Sequence, residues 1–146
     1  VKSLGGSPTP ISFGELYTSL QQGVVDGAEN DLPSFYLSRH YEVCKFYIMD
    51  EHTILPDVLL ISTHSWNTFS EQEKKWFNES VSLSVIEQRR LWSESEKESL
   101  KAITDFGVKI IKPSKELFQK KTNQIIEAFK GDTLVYNLIK RIRKIN

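Results

Sequence analysis

The sequence predicts an α/β fold of layered helices and short strands, and three observations carry that expectation. Stretches with helical spacing alternate along the chain with short β-branched and aromatic runs. Two Ser-x-x-Glu boxes mark helix starts, and glycines stand where several helical stretches end. The size allows a core, since 146 residues with 39% hydrophobic and 26% charged side chains have the length and composition of one globular domain.

From the N-terminus, Gly5 to Pro10 reads Gly-Gly-Ser-Pro-Thr-Pro, which predicts a loop or an extended edge segment. No Walker or Gly-x-Gly-x-x-Gly pattern follows, so the glycine pair is not a phosphate cradle. Ser12 and Glu15 have the spacing of a capping box. Leu16 and Leu20 then supply a helical stripe, with Gly23 as its stop. Val24-Val25 reads as a very short strand ended by Asp26-Gly27. Asn30 or Asp31 is the expected N-cap of a second helix, with Pro33 in its first turn and an aromatic flank of Phe35, Tyr36 and Tyr41. Cys44 to Met49 reads as a strand. Val58 to Ser62 reads as a buried strand, with Pro56 at its start.

Ser70-Glu71-Gln72-Glu73 is the second capping box. It opens a long helix from about Glu71 to Phe106, stopped by Gly107. Its apolar stripe has a polar gap from Ser93 to Ser99, where the helix is expected to run over the surface, cross between lobes or break. Val108 to Lys112 is a short strand closed by Pro113. Lys115 to Lys130 and Asp132 to Lys144 are two more helices, divided by Gly131, with Asp132 as N-cap of the last. Trp66, Trp76 and Trp92 fall on or near helix stripes and are expected in cores.

Composition then limits function. Nineteen basic and nineteen acidic residues cancel, which argues against a nucleic-acid partner. No apolar run approaches the roughly 20 residues of a membrane helix. A single cysteine, Cys44, excludes an intrachain disulfide and a Cys-based zinc cluster. His40, His52 and His64 are twelve residues apart each time, with no i, i+4 pair, so neither a metal site nor a cofactor is expected. Asp57, Ser62 and His64 are close in sequence, but no Gly-x-Ser-x-Gly elbow accompanies them, and no catalytic residue is assigned. The run Lys140-Arg141-Ile142-Arg143-Lys144 reads as cations complementing a helix C-terminus. A non-catalytic helical interaction module that uses this basic helix on an acidic partner is the alternative function. The opening Val1-Lys2-Ser3-Leu4-Gly5-Gly6 is neither a signal peptide nor an initiator, so the chain is expected to start inside a larger translation product or after processing.

The segment GGSPTPISFGELYTSLQQGVVDGAENDLPSFYLSRHYEV, from Gly5 to Val43, resembles the solute-binding proteins of tripartite ATP-independent periplasmic (TRAP) transporters, the DctP-like family. Pro8-Thr9-Pro10, Phe13, Glu15-Leu16-Tyr17, Gly23-Val24-Val25-Asp26-Gly27, Glu29-Asn30 and Tyr41-Glu42-Val43 carry the resemblance. His52, Val58 to Ser62, Trp66 and Gly107 to Ile110 extend it more loosely. It implies a periplasmic-binding-protein-like α/β fold, of which residues 1–146 are the second half. Residues of about 1–55 and 107–146 would form the second lobe, and about 56–106 a crossing strand and a long helix between or across lobes. The first lobe, the arginine that pairs with the solute carboxylate and the signal peptide would lie outside this chain.

The resemblance further implies no enzyme. It implies periplasmic or extracytoplasmic capture, in a bacterium, of a small organic acid (dicarboxylate, uronate or sialic-acid-like) and its delivery to TRAP membrane carrier subunits. Asn30 matches a position whose amide bonds the solute, and an amide offers both donors and an acceptor. Phe13 matches an aromatic that packs on the solute's carbon skeleton. Asp57, beside Pro56, is a further candidate suited to a sugar hydroxyl, and Glu29 is a candidate support for Asn30. A chain lacking its first lobe would expose apolar faces. It is therefore expected to form a dimer or swapped assembly and to show no measurable solute affinity by itself.

Overall fold

Among the described residues, four helices start at a side chain that reaches a free amide of the first turn. The computed structural model describes residues 1–145. Helix α1 (Phe13–Gln21) follows Ser12, and Gly23 ends it with φ of 69°. Ser12 does not cap the backbone as expected: its hydroxyl donates instead to the Glu15 carboxylate at 2.7 Å. Helix α2 (Leu32–Leu37) is capped by Asp31, whose Oδ1 accepts from the Ser34 amide at 2.8 Å, so Asp31 rather than Asn30 is the N-cap. Strand β1 (Phe46–Ile48) lies inside the expected Cys44–Met49 run. Helix α3 (Thr63–Thr68) begins at Ser62, whose hydroxyl accepts from the Ser65 amide at 3.1 Å.

Helix α4 (Glu71–Phe106) runs 36 residues without a break, or about 54 Å. Both halves of its capping box form: Ser70 Oγ accepts from the Glu73 amide, and the Glu73 carboxylate accepts from the Ser70 amide at 2.8 Å. Those bonds hold the Glu73 carboxyl below the usual carboxylate range. Ion pairs one turn apart, such as Arg90 with Glu87 and Glu94 at 2.6 Å, support the solvated middle. Gly107, with φ of 106°, stops the helix. Strand β2 (Lys109–Ile111), helix α5 (Lys115–Ala128) and helix α6 (Thr133–Ile142) complete the chain, with a 3-10 turn at Phe129–Gly131 between the last two. Asp132 caps α6 through the Val135 amide at 3.1 Å.

β1 and β2 pair in parallel, with Phe46, Tyr47 and Ile48 opposite Lys109, Ile110 and Ile111. The connection between them runs through α3 and α4, as a parallel pair requires a crossover. α2 packs across the C-terminal part of α4. Leu32 and Phe35 from α2, Ile103 from α4 and Val108 beside β2 form the buried core, flanked by Tyr47, Leu100 and Ile110. A smaller aromatic cluster joins α3 to the start of α4, with the Trp66 and Phe77 rings 5.9 Å apart.

Three further expectations are corrected. Val24-Val25 sits in turns and bends, because Gly23 and Gly27 flank it too closely for pairing. Val58 to Ser62 forms no strand and pairs with nothing among the described residues, and Leu60 is 82% exposed. A β-branched run becomes a strand only when a neighbour accepts its backbone groups. Trp76 and Trp92 are exposed, whereas Trp66 is half-buried. The polar Ser93–Ser99 stretch does not break the helix and runs over the surface, the first of the expected alternatives, until Ser99, which is buried.

Candidate functional site

Asn30 stands at the head of α2, one residue before its cap. Asp31 is held by Ser34, whose amide and hydroxyl both donate to its carboxylate at 2.8 Å, and this fixes the backbone on which Asn30 sits. Asn30 Oδ1 accepts from the Asp31 amide at 3.0 Å, and its carbonyl accepts from the Tyr47 hydroxyl at 3.2 Å. Its side-chain nitrogen Nδ2 is buried with no acceptor among the described residues. A donor left in that state costs about 1–3 kcal/mol, which an arriving oxygen recovers.

Tyr47 comes from β1. Its phenol is pushed up to about 12, by burial first and then by the carboxylates of Asp31, Asp50, Glu29 and Glu96. It therefore stays protonated and keeps donating to the Asn30 carbonyl. The Tyr47 ring lies 5.1 Å from Phe35, Phe35 lies 6.4 Å from His40, and His40 meets the edge of Phe13 at 5.8 Å. Phe13 opens α1 and is 58% exposed. A continuous layer of rings thus connects Phe13 to Asn30, and Phe13 presents an open aromatic surface at one end of it. The Tyr17 hydroxyl, donating to Glu42 at 3.0 Å, ties α1 to the segment carrying His40.

Glu29 does not bond Asn30. It faces His52 Nε2 at 3.7 Å, while His52 Nδ1 meets Asp50 Oδ1 at 2.8 Å. Asp57 is exposed in the unpaired segment before α3, and no hydrogen bond or ion pair joins it to Asn30 or Phe13 among the described residues. Ser62 is occupied in capping α3, with its hydroxyl 2.9 Å from that of Ser65. Tyr47 and His40 went unnoticed in the sequence. Tyr47 is one aromatic in a strand and His40 lies three residues beyond α2, and neither carries a motif.

His40 is 2% exposed, and burial lowers its pKa from the ordinary imidazole value. The unfolded chain takes up a proton near pH 6.5, where folded His40 does not. Stability conferred by neutral His40 is therefore complete above about pH 6.5 and falls as the pH drops toward the lowered value. Urea midpoints measured from pH 7.5 down to 5 should decline, and His40→Phe should flatten that decline. A slope unchanged by the substitution would assign it to other groups.

The DctP model, described as bacterial extracellular solute-binding protein, family 7, matches residues 1–132. A solute-binding protein of Chromohalobacter salexigens is 42% identical over 130 residues, which are 88% of this chain and 39% of that protein. A TRAP periplasmic solute-binding protein of the same organism, solved with bound D-glucuronate, superimposes with a TM-score of 0.92. It is 38% identical and covers 99% of this chain and 49% of its own. A Bradyrhizobium TRAP periplasmic solute-binding protein solved with galacturonate gives a TM-score of 0.84 at 39% identity, over 98% of this chain and 48% of its own. The chain spans less than half the length of these relatives.

Proposed function

The chain belongs to DctP, family 7 of the bacterial extracellular solute-binding proteins, and from that premise we propose that it supplies one wall of a site that captures a small organic acid. The buried, unpaired Asn30 amide carries this reading. It offers a donor to a solute carboxylate or hydroxyl oxygen, while Phe13 offers an aromatic surface to the carbon skeleton. Glu29, Asp31 and Asp50 surround the Asn30 end with negative charge, so a cation from elsewhere in the whole protein must balance an acidic solute. Glu29 acts through His52 rather than through Asn30, and Asp57 serves a hydroxyl only if its segment is brought over the site. Within the organic acids, the glucuronate- and galacturonate-bound relatives favour a uronate over a dicarboxylate or a sialic acid.

On this reading residues of about 1–55 and 107–146 form one lobe and about 56–106 a crossing strand and long helix. The whole protein closes on its solute by hinge motion, makes and breaks no bond, and delivers its cargo to a TRAP membrane carrier. The parallel pairing of β1 with β2, which joins the two separated lobe segments, supports that division.

The test is thermal unfolding of the full-length protein with a panel of uronates, sialic acid, C4-dicarboxylates and neutral hexoses. A bound acid at roughly 100 times its Kd should add about 2.7 kcal/mol. Hexoses should add nothing, and a full-length protein stabilised by none of the acids would refute the proposal. The 146-residue chain alone should show no shift and should sediment as a dimer, because its bare apolar faces associate.

A further inference from the structure

We propose that Tyr47 is a positioning residue of the solute site, whose hydroxyl fixes the peptide unit that aims the Asn30 side-chain amide. This role rests on the solute-capture reading and deepens it, by naming the group that sets the donor in place before solute arrives.

Two side-chain bonds meet on that peptide unit. The Asn30 carbonyl and the Asp31 N–H are opposite ends of one planar group. The Tyr47 hydroxyl donates to the oxygen end at 3.2 Å, and Asn30 Oδ1 accepts from the nitrogen end at 3.0 Å. The side-chain amide is planar too, with its oxygen and nitrogen on one carbon, so anchoring Oδ1 also decides where Nδ2 points. Nδ2 is the buried atom with no acceptor among the described residues. Rotation of the peptide unit would carry its N–H away from Oδ1 and free the donor to turn. The grip of Tyr47 on the carbonyl opposes that rotation.

The chain beyond Asp31 is already held, since the Asp31 carbonyl accepts from the Phe35 amide at 2.9 Å and its carboxylate from Ser34. The chain before Asn30 has no such hold. Residues 24–29 are in neither helix nor strand, and the Glu29 carboxylate faces His52. Among the described residues, the Tyr47 hydroxyl makes the only hydrogen bond between Asn30 and another element. Tyr47 is itself well anchored. It is the middle residue of β1, opposite Ile110 in β2, and its half-buried ring lies 5.1 Å from Phe35. A donor held by a residue on a paired strand loses little freedom when solute binds, and that saving appears as affinity.

The full-length protein is titrated with D-glucuronate, D-galacturonate, sialic acid and a C4-dicarboxylate, as wild type, Tyr47→Phe, Asn30→Ala and the double variant. Phe keeps the ring packing and removes only the hydroxyl. Tyr47→Phe should weaken the acid that binds by about 3- to 10-fold. In the Asn30→Ala background the same change should cost less than about 1.5-fold, because the group being aimed is gone. A second readout needs no solute. The Asp31 amide proton should exchange at least ~3-fold faster in Tyr47→Phe. The Met49 amide, bonded to the Ile111 carbonyl at 2.8 Å, should keep its rate and so report an intact β1. Wild-type protein that binds none of these acids refutes the solute-capture reading and removes the role with it. Where wild type binds, three results overturn the role of Tyr47 alone: unchanged affinity in Tyr47→Phe, an equal loss in both backgrounds, or unchanged Asp31 exchange.

Discussion

Ile103→Ala is expected to destabilise the chain by about 2–5 kcal/mol, the loss typical of truncating a fully buried aliphatic side chain. Ile103 is fully buried and stands where α4 meets α2 and β2. Its carbonyl accepts from the Val108 amide at 3.0 Å, so the same residue anchors the turn into β2. Among the described residues, only Leu32, Phe35 and Val108 share the buried core with it, and no second layer of buried apolar side chains absorbs the cavity. A domain's whole stability is typically about 5–15 kcal/mol, so the variant should be partly unfolded at 37 °C. Leu83→Ala, on the same helix but exposed, should change stability by less than about 0.5 kcal/mol. Urea denaturation of both variants checks this, and similar midpoints for the two would contradict the placement of the core.

Asn30→Ala in the full-length protein should weaken binding of the preferred organic acid about 10- to 150-fold, because a hydrogen bond to a charged group is worth about 1.5–3 kcal/mol. The unliganded variant should lose less than about 1 kcal/mol. It gives up the bond from the Asp31 amide, but it also removes a buried donor that has no acceptor. A purely structural Asn30 predicts the reverse, with lower stability and unchanged affinity. Asn30→Asp should be worse than Ala for an anionic solute, since it places a carboxylate where a donor stood. Isothermal titration and urea melts on the three proteins separate these cases.

Much of the helical architecture was legible because its signals are local. Ser70 and Glu73 lie one turn apart and close their box wherever the helix goes, and Gly107 ends it by accepting a left-handed backbone. Asp132 capping α6 is a fact of the same kind. Ser12 shows the limit: the spacing was right, but Glu15 took the hydroxyl that the amide was expected to use. Strands were less legible, because pairing depends on residues far away in sequence. Phe46–Ile48 found Lys109–Ile111, whereas Val58–Ser62, the more β-prone run, found no partner. α3 was missed because its six residues are too few for a hydrophobic period.

For the site, family resemblance pointed to Asn30 and Phe13. The residues between them, Phe35, Tyr47 and His40, are joined only by packing. Sequence by itself determined the local elements and the kinship to solute-binding proteins, because caps, stops and ordered motifs are properties of neighbouring residues. Tertiary structure alone decided three other things. It placed the Asn30 nitrogen out of water without an acceptor, turned Glu29 toward His52, and left Leu134 and Leu138 of α6 exposed. Each of these depends on which groups meet across the fold, and burial and pairing arise only when distant segments pack.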